Sequence, residues 1–370
     1  MVSPKYVNIL THRKSFRIAI YTPPTKYKIK FEGENTPSEQ AIEEFSKQIE
    51  VSLQSLLGSV GDLKDSLGKC AGLIYKSLRC NTLSERTDSL LQAKIQCEKL
   101  TPCHPKLKHT LFSSLGDLLR SEKLYNHSLD CYQKAVELEQ GKASTFLGQG
   151  LALGNLERYE EALESLEKAL ELDPQSVDAW RNRGHTLRNL ERYEEALESY
   201  QKVIDLDPKS VDAWVHQGNA LLDLDRYEEA LTACDRAFKI DSKNPEALNS
   251  QALALSLIKN FDKAITAIDE AINLKPQEVM LRANRGIILA RASRYTEALA
   301  ECEQAIKQDP KHESGYYGKA CCYALQGEIG QAIDNLQKAI DIAPRRSRNE
   351  AKHNPDFDSI RDDERFRALM

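Results

Sequence analysis

Apolar residues recur along this chain in two helix-spaced runs every 34 residues, seven times in succession, without insertion or deletion. With each unit numbered from 1 to 34, the units begin at His109, Ala143, Val177, Val211, Pro245, Val279 and Glu313. Positions 4, 8 and 11 make one apolar face, and positions 17, 20, 24 and 27 make a second. Both spacings belong to amphipathic helices, so each unit predicts a pair of helices. The polar positions between them predict solvated faces. Two units show the repetition best: Leu156–Trp180 and Leu190–Trp214 are identical at 19 of 25 positions.

The residue types within the runs carry their own physics. Position 8 is Gly or Ala in every unit, position 20 is Ala in six units, and position 27 is Ala in six. Small side chains at these sites let two helix backbones approach closely, so a larger one such as leucine at Ala196 would overpack the contact. Proline holds position 32 in five units (Pro174, Pro208, Pro276, Pro310, Pro344) and stops the second helix, because it lacks an N–H and restricts its predecessor. Ser176 and Ser210 stand where they would cap the next helix, with Asp178 and Asp212 in its first turn. A fixed period of this length marks a solenoid, in which each unit buries its apolar face against its neighbours.

At these residues the chain resembles the tetratricopeptide repeat family, over roughly residues 109–346. The resemblance implies an all-α, right-handed superhelical solenoid of antiparallel helix pairs with a concave peptide-binding groove. It also implies that the protein works by holding other proteins. Departures are confined to a few places. Position 7, usually leucine in the family, is Gln149, Arg183, Gln217, Gln251, Arg285 or Lys319 in six units. Such side chains can lay their stems over the core while their heads stay wet or paired. Arg282 replaces the bulky residue at position 4, and Ser242 replaces proline at 32.

In the family, positions 2, 5, 6, 9, 12 and 13 of the first helix line the groove. Here they supply Asp178, Arg181, Asn182, His185, Arg188 and Asn189, then Asp212, His216 and Asn219, then Glu246 and Asn249, then Asn284. Asparagine amides can pair with both polar groups of a peptide backbone, and Arg181 and Arg188 can clamp a carboxylate. These twelve are the expected partner-binding residues. The set by which chaperone-binding relatives grip a terminal carboxylate is missing, since Arg181 and His185 are followed by His216 and then by Glu246 and Ser250.

Outside the repeats four segments are expected: a basic N-terminal segment at 1–36, a helical region at 37–108, the repeats at 109–346, and a capping helix or tail at 347–370. Residues 1–31 hold seven basic residues and no acidic one, in a chain of 370 residues with net charge −5. Phe16–Tyr21 and Tyr27–Phe31 have strand-type composition around Pro23-Pro24, so a small hairpin or a disordered arm is expected. This segment motivates an alternative function, in which it touches nucleic acid or an anionic membrane surface while the repeats bind protein. In the tail, Phe357, Ile360, Phe366 and Leu369 form an apolar set that would close the last repeat.

Enzyme activity is not expected: no phosphate-cradling glycine loop, nucleophile elbow or zinc-protease motif occurs. No cofactor and no metal is expected either. Cys97, Cys103, His104 and His109 are spaced unlike common zinc sites. No apolar run reaches membrane-spanning length, and no secretory leader pattern is visible at the start. Nine cysteines suit a reducing compartment, so a cytoplasmic protein is expected.

Overall fold

The computed structural model describes residues 5–11, 14–21, 28–31, 70, 73–74, 76–77, 82–99, 105–139 and 141–370. Near the N-terminus three strands, β1 (Lys5–Thr11), β2 (Lys14–Tyr21) and β3 (Lys28–Phe31), form an antiparallel sheet in that order. The expected nucleic-acid or membrane contact of this segment lies outside the described side chains, as do most of residues 37–81 and the pair Cys103-His104.

The remainder of the described chain is helical. Ahead of the repeats lies α1 (Leu83–Glu98). The repeats then alternate a first helix, A, with a second, B: α2 (Pro105–Ser121) and α3 (Tyr125–Leu138), α4 (Ala143–Asn155) and α5 (Tyr159–Leu172), and α6 (Val177–Asn189) and α7 (Tyr193–Leu206). They continue as α8 (Val211–Asp223) and α9 (Tyr227–Ile240), α10 (Pro245–Leu257) and α11 (Phe261–Leu274), α12 (Val279–Arg291) and α13 (Tyr295–Gln308), and α14 (Glu313–Gln326) and α15 (Ile329–Ile342). Then come α16 (Pro344–His353), a 3₁₀ turn (Pro355–Ile360) and α17 (Glu364–Leu369). Two compact units result, residues 1–190 and 191–370.

Local chemistry sets the helix limits. Ser176 and Ser210 accept from the N–H groups of Ala179 and Ala213, as their sequence positions require, and Asn244 does the same for Ala247. Each A helix ends in a residue at position 15 with positive φ: Lys123, Glu157, Glu191, Asp225, Lys259, Ser293 and Gly327. In that turn the N–H groups of Glu157 and Arg158 donate back to the carbonyls of Gly154 and Leu153, which satisfies carbonyls the helix leaves unpaired. Only the seventh unit uses glycine there, so six turns tolerate a left-handed non-glycine residue.

Packing follows the small positions. A methyl group on Gly286 would meet Cys302 Sγ at 2.5 Å and the Ala298 carbonyl at 3.0 Å; on Gly150 it would meet Leu166 at 2.7 Å. Position 8 therefore holds the neighbouring B helix at its closest approach, against position 24. The long residues at position 7 of the third to seventh units are paired, each with the residue sixteen places earlier on the preceding B helix. Arg183 meets Glu167, Gln217 meets Gln201, Gln251 meets Asp235, Arg285 meets Asp269 and Lys319 meets Glu303.

In the first unit Leu90, Ala93 and Cys97 of α1 share a core with Leu111 and Leu115 of α2. His109 is buried beside that core. Its Nδ1 lies 2.9 Å from the Ala135 carbonyl and its Nε2 3.2 Å from Thr145 Oγ1. A neutral ring protonated at Nδ1 satisfies both contacts. Burial, helped by Lys142, holds this imidazole below its ordinary pKa. An unfolded histidine protonates near pH 6.5, so at and just below that pH the unfolded chain takes up more protons. The stability contributed here is complete above about pH 6.5 and declines as pH falls through it. The thermal midpoint of the wild type is expected to drop more steeply between pH 7 and pH 5 than that of His109→Gln. Equal slopes would show that His109 does not set this dependence.

Candidate partner-binding surface

The twelve expected site residues fall on A helices of both units. Six of them, Asp178, Arg181, Asn182, His185, Arg188 and Asn189, lie on α6 in the first unit. Asp178 is exposed and pairs with Arg181 at 2.9 Å. Asn182 and Asn189 donate to the carbonyls four residues earlier on their own helix, Asp178 and His185. These bonds hold the side chains along the helix surface, with the Asp178–Arg181 pair as the charged feature of the patch.

In the second unit the other six lie on α8, α10 and α12, and side-chain hydrogen bonds join one helix to the next. Asn219 Oδ1 accepts from Ser250 Oγ at 2.8 Å, which links α8 to α10. Asn249 Oδ1 accepts from Asn284 Nδ2 at 2.8 Å, which links α10 to α12. Asn249 is only 8% exposed. Its amide therefore serves the stack of helices, a use that position in a repeat pattern does not reveal. His216 stacks on the buried ring of Tyr200, with centroids 5.7 Å apart. Asp212 and Glu246 are exposed, and Glu246 pairs with Lys275. The outermost polar groups of this row are thus Asp212 and Glu246, and the asparagines form its base.

The same face holds a feature that the repeat pattern does not contain. Arg291, at position 13 of the sixth unit, donates from Nε to Asp356 Oδ1 at 2.8 Å and from Nη1 to Ser256 Oγ at 2.9 Å. Both ends of the ion pair are buried, with side-chain exposures of 12% and 4%. The carboxylate beside it raises the Arg291 pKa further, against the opposing effect of burial. Asn354 receives a third Arg291 contact and donates to Tyr317 Oη at 3.0 Å. Phe357 is fully buried in the core cluster of the seventh repeat and the tail, and its ring sits edge-on to Tyr317 at 5.7 Å. The apolar tail residues were visible in the sequence as a set; Arg291 and Asp356 were not, because they lie 65 residues apart.

The seven cysteines among the described residues are free and buried. Burial pushes the thiols of Cys131 and Cys234 up to about 12, so they pack as apolar groups. No group of metal-ligating side chains occurs among the described residues, and no described helix is long and apolar enough to cross a membrane.

A tetratricopeptide repeat model matches the sequence in five overlapping windows between residues 147 and 347, more than half of the chain. No curated protein matches it in sequence. Among solved structures, a tetratricopeptide repeat protein from Parabacteroides merdae is 17% identical over 63% of this chain and 93% of its own, with a TM-score of 0.56. Pseudomonas aeruginosa pilF is 16% identical over 56% and 94%, with a TM-score of 0.47. YrrB, described as a TPR protein with an unusual peptide-binding site, is 26% identical over 49% and 94%, with a TM-score of 0.34. By the match of its repeats, and by the helix pairs those repeats form, the chain belongs to the tetratricopeptide repeat family.

Proposed function

We propose that this protein is a protein-interaction scaffold that holds an extended peptide or a helix of its partner against the A-helix face. The scaffold role follows from the family. The placement on this face is supported by one observation above all: polar side chains on successive A helices are joined helix to helix, Asn219 to Ser250 and Asn249 to Asn284. These bonds fix the base of the row beside exposed Asp212 and Glu246, so fewer side chains need ordering when an extended partner binds. On α6 the Asp178–Arg181 pair and Arg188 form the corresponding polar patch of the first unit. No catalytic role is assigned, because the polar groups of these patches serve helix ends and helix packing.

The test is a selection of peptides from a random library on the intact protein. Binding is then compared in two surface variants, Arg181→Ala with Arg188→Ala, and Asp212→Lys with Glu246→Lys. Both acids lie in the first turn of their helices, so the second variant is expected to be less stable than the wild type by about 1–2 kcal/mol and still folded. At least one variant is expected to lose about tenfold or more in affinity, as removal of central interface residues does. Full retention by both would move the binding surface off the A helices.

A further inference from the structure

The second unit carries a peptide on its A-helix face already, and that peptide is its own tail. The residues that receive residues 354–360 are not among the twelve expected ones, but they stand at positions that line the groove in the family. Arg291 is at position 13 of the sixth unit, backed by Ser256 at 12 of the fifth, and Tyr317, Cys321 and Ala324 are at 5, 9 and 12 of the seventh. They divide the work by chemistry. Arg291 takes the Asp356 carboxylate, and Tyr317 and Cys321 receive the Asn354 amide, at 3.0 and 3.4 Å. The apolar pocket takes the Phe357 ring, and the Ala324 carbonyl accepts from Ser359 Oγ at 3.2 Å. Just before this segment, Lys352 and His353 reach Glu191, and His353 lies edge-on to Tyr193 at 5.9 Å. The tail therefore runs from the seventh repeat to the start of α7, along one face of the unit.

A simple end cap would need contact with α15, the last helix, and nothing more. Pro344 starts α16 in that place, and Ser347 and Ala351 are its buried residues. The Asn-Pro-Asp-Phe turn that follows goes further, back to Arg291 of the sixth repeat, which itself bonds to Ser256 of the fifth. An arginine buried at a groove position and matched by an acid from outside the repeats is a recognition feature, since a buried charge-assisted hydrogen bond selects an acid. It is also costly to keep if nothing pairs with it.

We propose that the A-helix face of repeats five to seven is a subsite for a partner segment with an acidic residue followed directly by an aromatic one in a tight turn, and that residues 354–360 fill it in cis until such a segment displaces them. This deepens the scaffold reading and rests on it. The partner class is set by Arg291, which selects the acid, and by the apolar surface around Tyr317, which selects the ring. The tail, being tethered, competes at a high effective concentration, so the closed form resists weak partners.

The probe is a labelled synthetic peptide with the sequence of residues 354–370, and the acceptor is the full chain carrying Asp356→Ala and Phe357→Ala. This acceptor is expected to bind the peptide about tenfold or more tightly than the wild type, because the competing segment is weakened. A third substitution, Arg291→Gln, is expected to abolish that gain, as is a peptide in which the Asp and Phe are exchanged for Asn and Ala. Hydrogen exchange on the wild type supplies a readout that does not depend on the variants folding. Excess peptide should speed exchange at residues 357–366, and a scrambled peptide should not. No binding by the acceptor together with no change in exchange would overturn the proposal. Binding that ignores Arg291 would overturn it while leaving the scaffold reading intact. A dimer of the intact chain that Arg291→Gln dissolves would assign the face to a second copy and overturn the partner segment. Failure of the scaffold reading shows differently, as library peptides indifferent to every A-helix substitution.

Discussion

Replacing Arg291 with alanine is expected to destabilise the second unit by about 3–5 kcal/mol, the usual cost of removing one member of a buried ion pair. The substitution leaves Asp356 4% exposed with its main hydrogen-bond donor gone, and it removes the donors to Ser256 and Asn354. The loss comes mostly from the stranded carboxylate, so the pair itself contributes far less than the single substitution suggests. Replacing both members with apolar residues, Arg291→Met with Asp356→Leu, is accordingly expected to recover most of the loss. Denaturant unfolding of the two single variants and the double variant forms the cycle that checks this. If Arg291→Ala costs under about 1 kcal/mol, in the range of surface pairs, the ion pair is solvated and its role on this face falls away. Neighbour-to-neighbour stability predicts where the damage appears: repeats six and seven and the tail should lose protection from hydrogen exchange before the first unit does.

The repeat period made the helices legible because each unit buries only what its neighbours offer. Ser176 and Ser210 could be placed as caps from their position after the proline, and the structure shows both accepting the expected backbone bonds. The small residues at position 8 could be read as close contacts, and Gly286 against Cys302 is one. The pairing of position 7 was written in the sequence but needed the register across two units to be seen. Arg285 with Asp269 and Lys319 with Glu303 are opposite charges sixteen residues apart, and Gln217 with Gln201 is the neutral version.

Other features left no periodic trace. The left-handed turn at position 15 carries lysine, glutamate, aspartate or serine in six units, so the glycine that usually signals such a turn is absent. Asn249 and Asn284 look like solvated groove residues when counted by position. Only the stacking of α10 on α12 turns them toward each other. The tail was readable as an apolar set because Phe357, Ile360 and Phe366 stand out in a polar stretch. Where it docks was not readable: Arg291 stands at a groove position like many others, and no spacing joins it to Asp356. Long-range contacts between a repeat and a non-repeat segment have no spacing rule to betray them.

Replacing Phe357 with alanine is expected to cost about 3–5 kcal/mol, the range for emptying a buried aromatic site. The ring is 0% exposed and sits between Tyr317 and Phe366, each 5.7 Å away. Tyr317 belongs to an A helix packed on its own B helix, which limits collapse on that side, so part of the cavity term should persist. Phe357→Leu keeps most of the apolar volume and is expected to cost clearly less, because losses scale with the cavity left behind. Circular dichroism melts of both variants measure the difference, and exchange mass spectrometry locates it. The decisive comparison is with Phe366→Ala. Phe366 is 3% exposed in the same cluster but lies on α17, beyond the turn that Arg291 holds. If the tail is only a cap, the two alanines should free the same residues, since either would uncover the end of α15. If residues 354–360 are a ligand of the A-helix face, Phe357→Ala should also loosen the contact of Asp356 with the sixth repeat. It should then expose Arg291 to solvent, while Phe366→Ala leaves that ion pair protected.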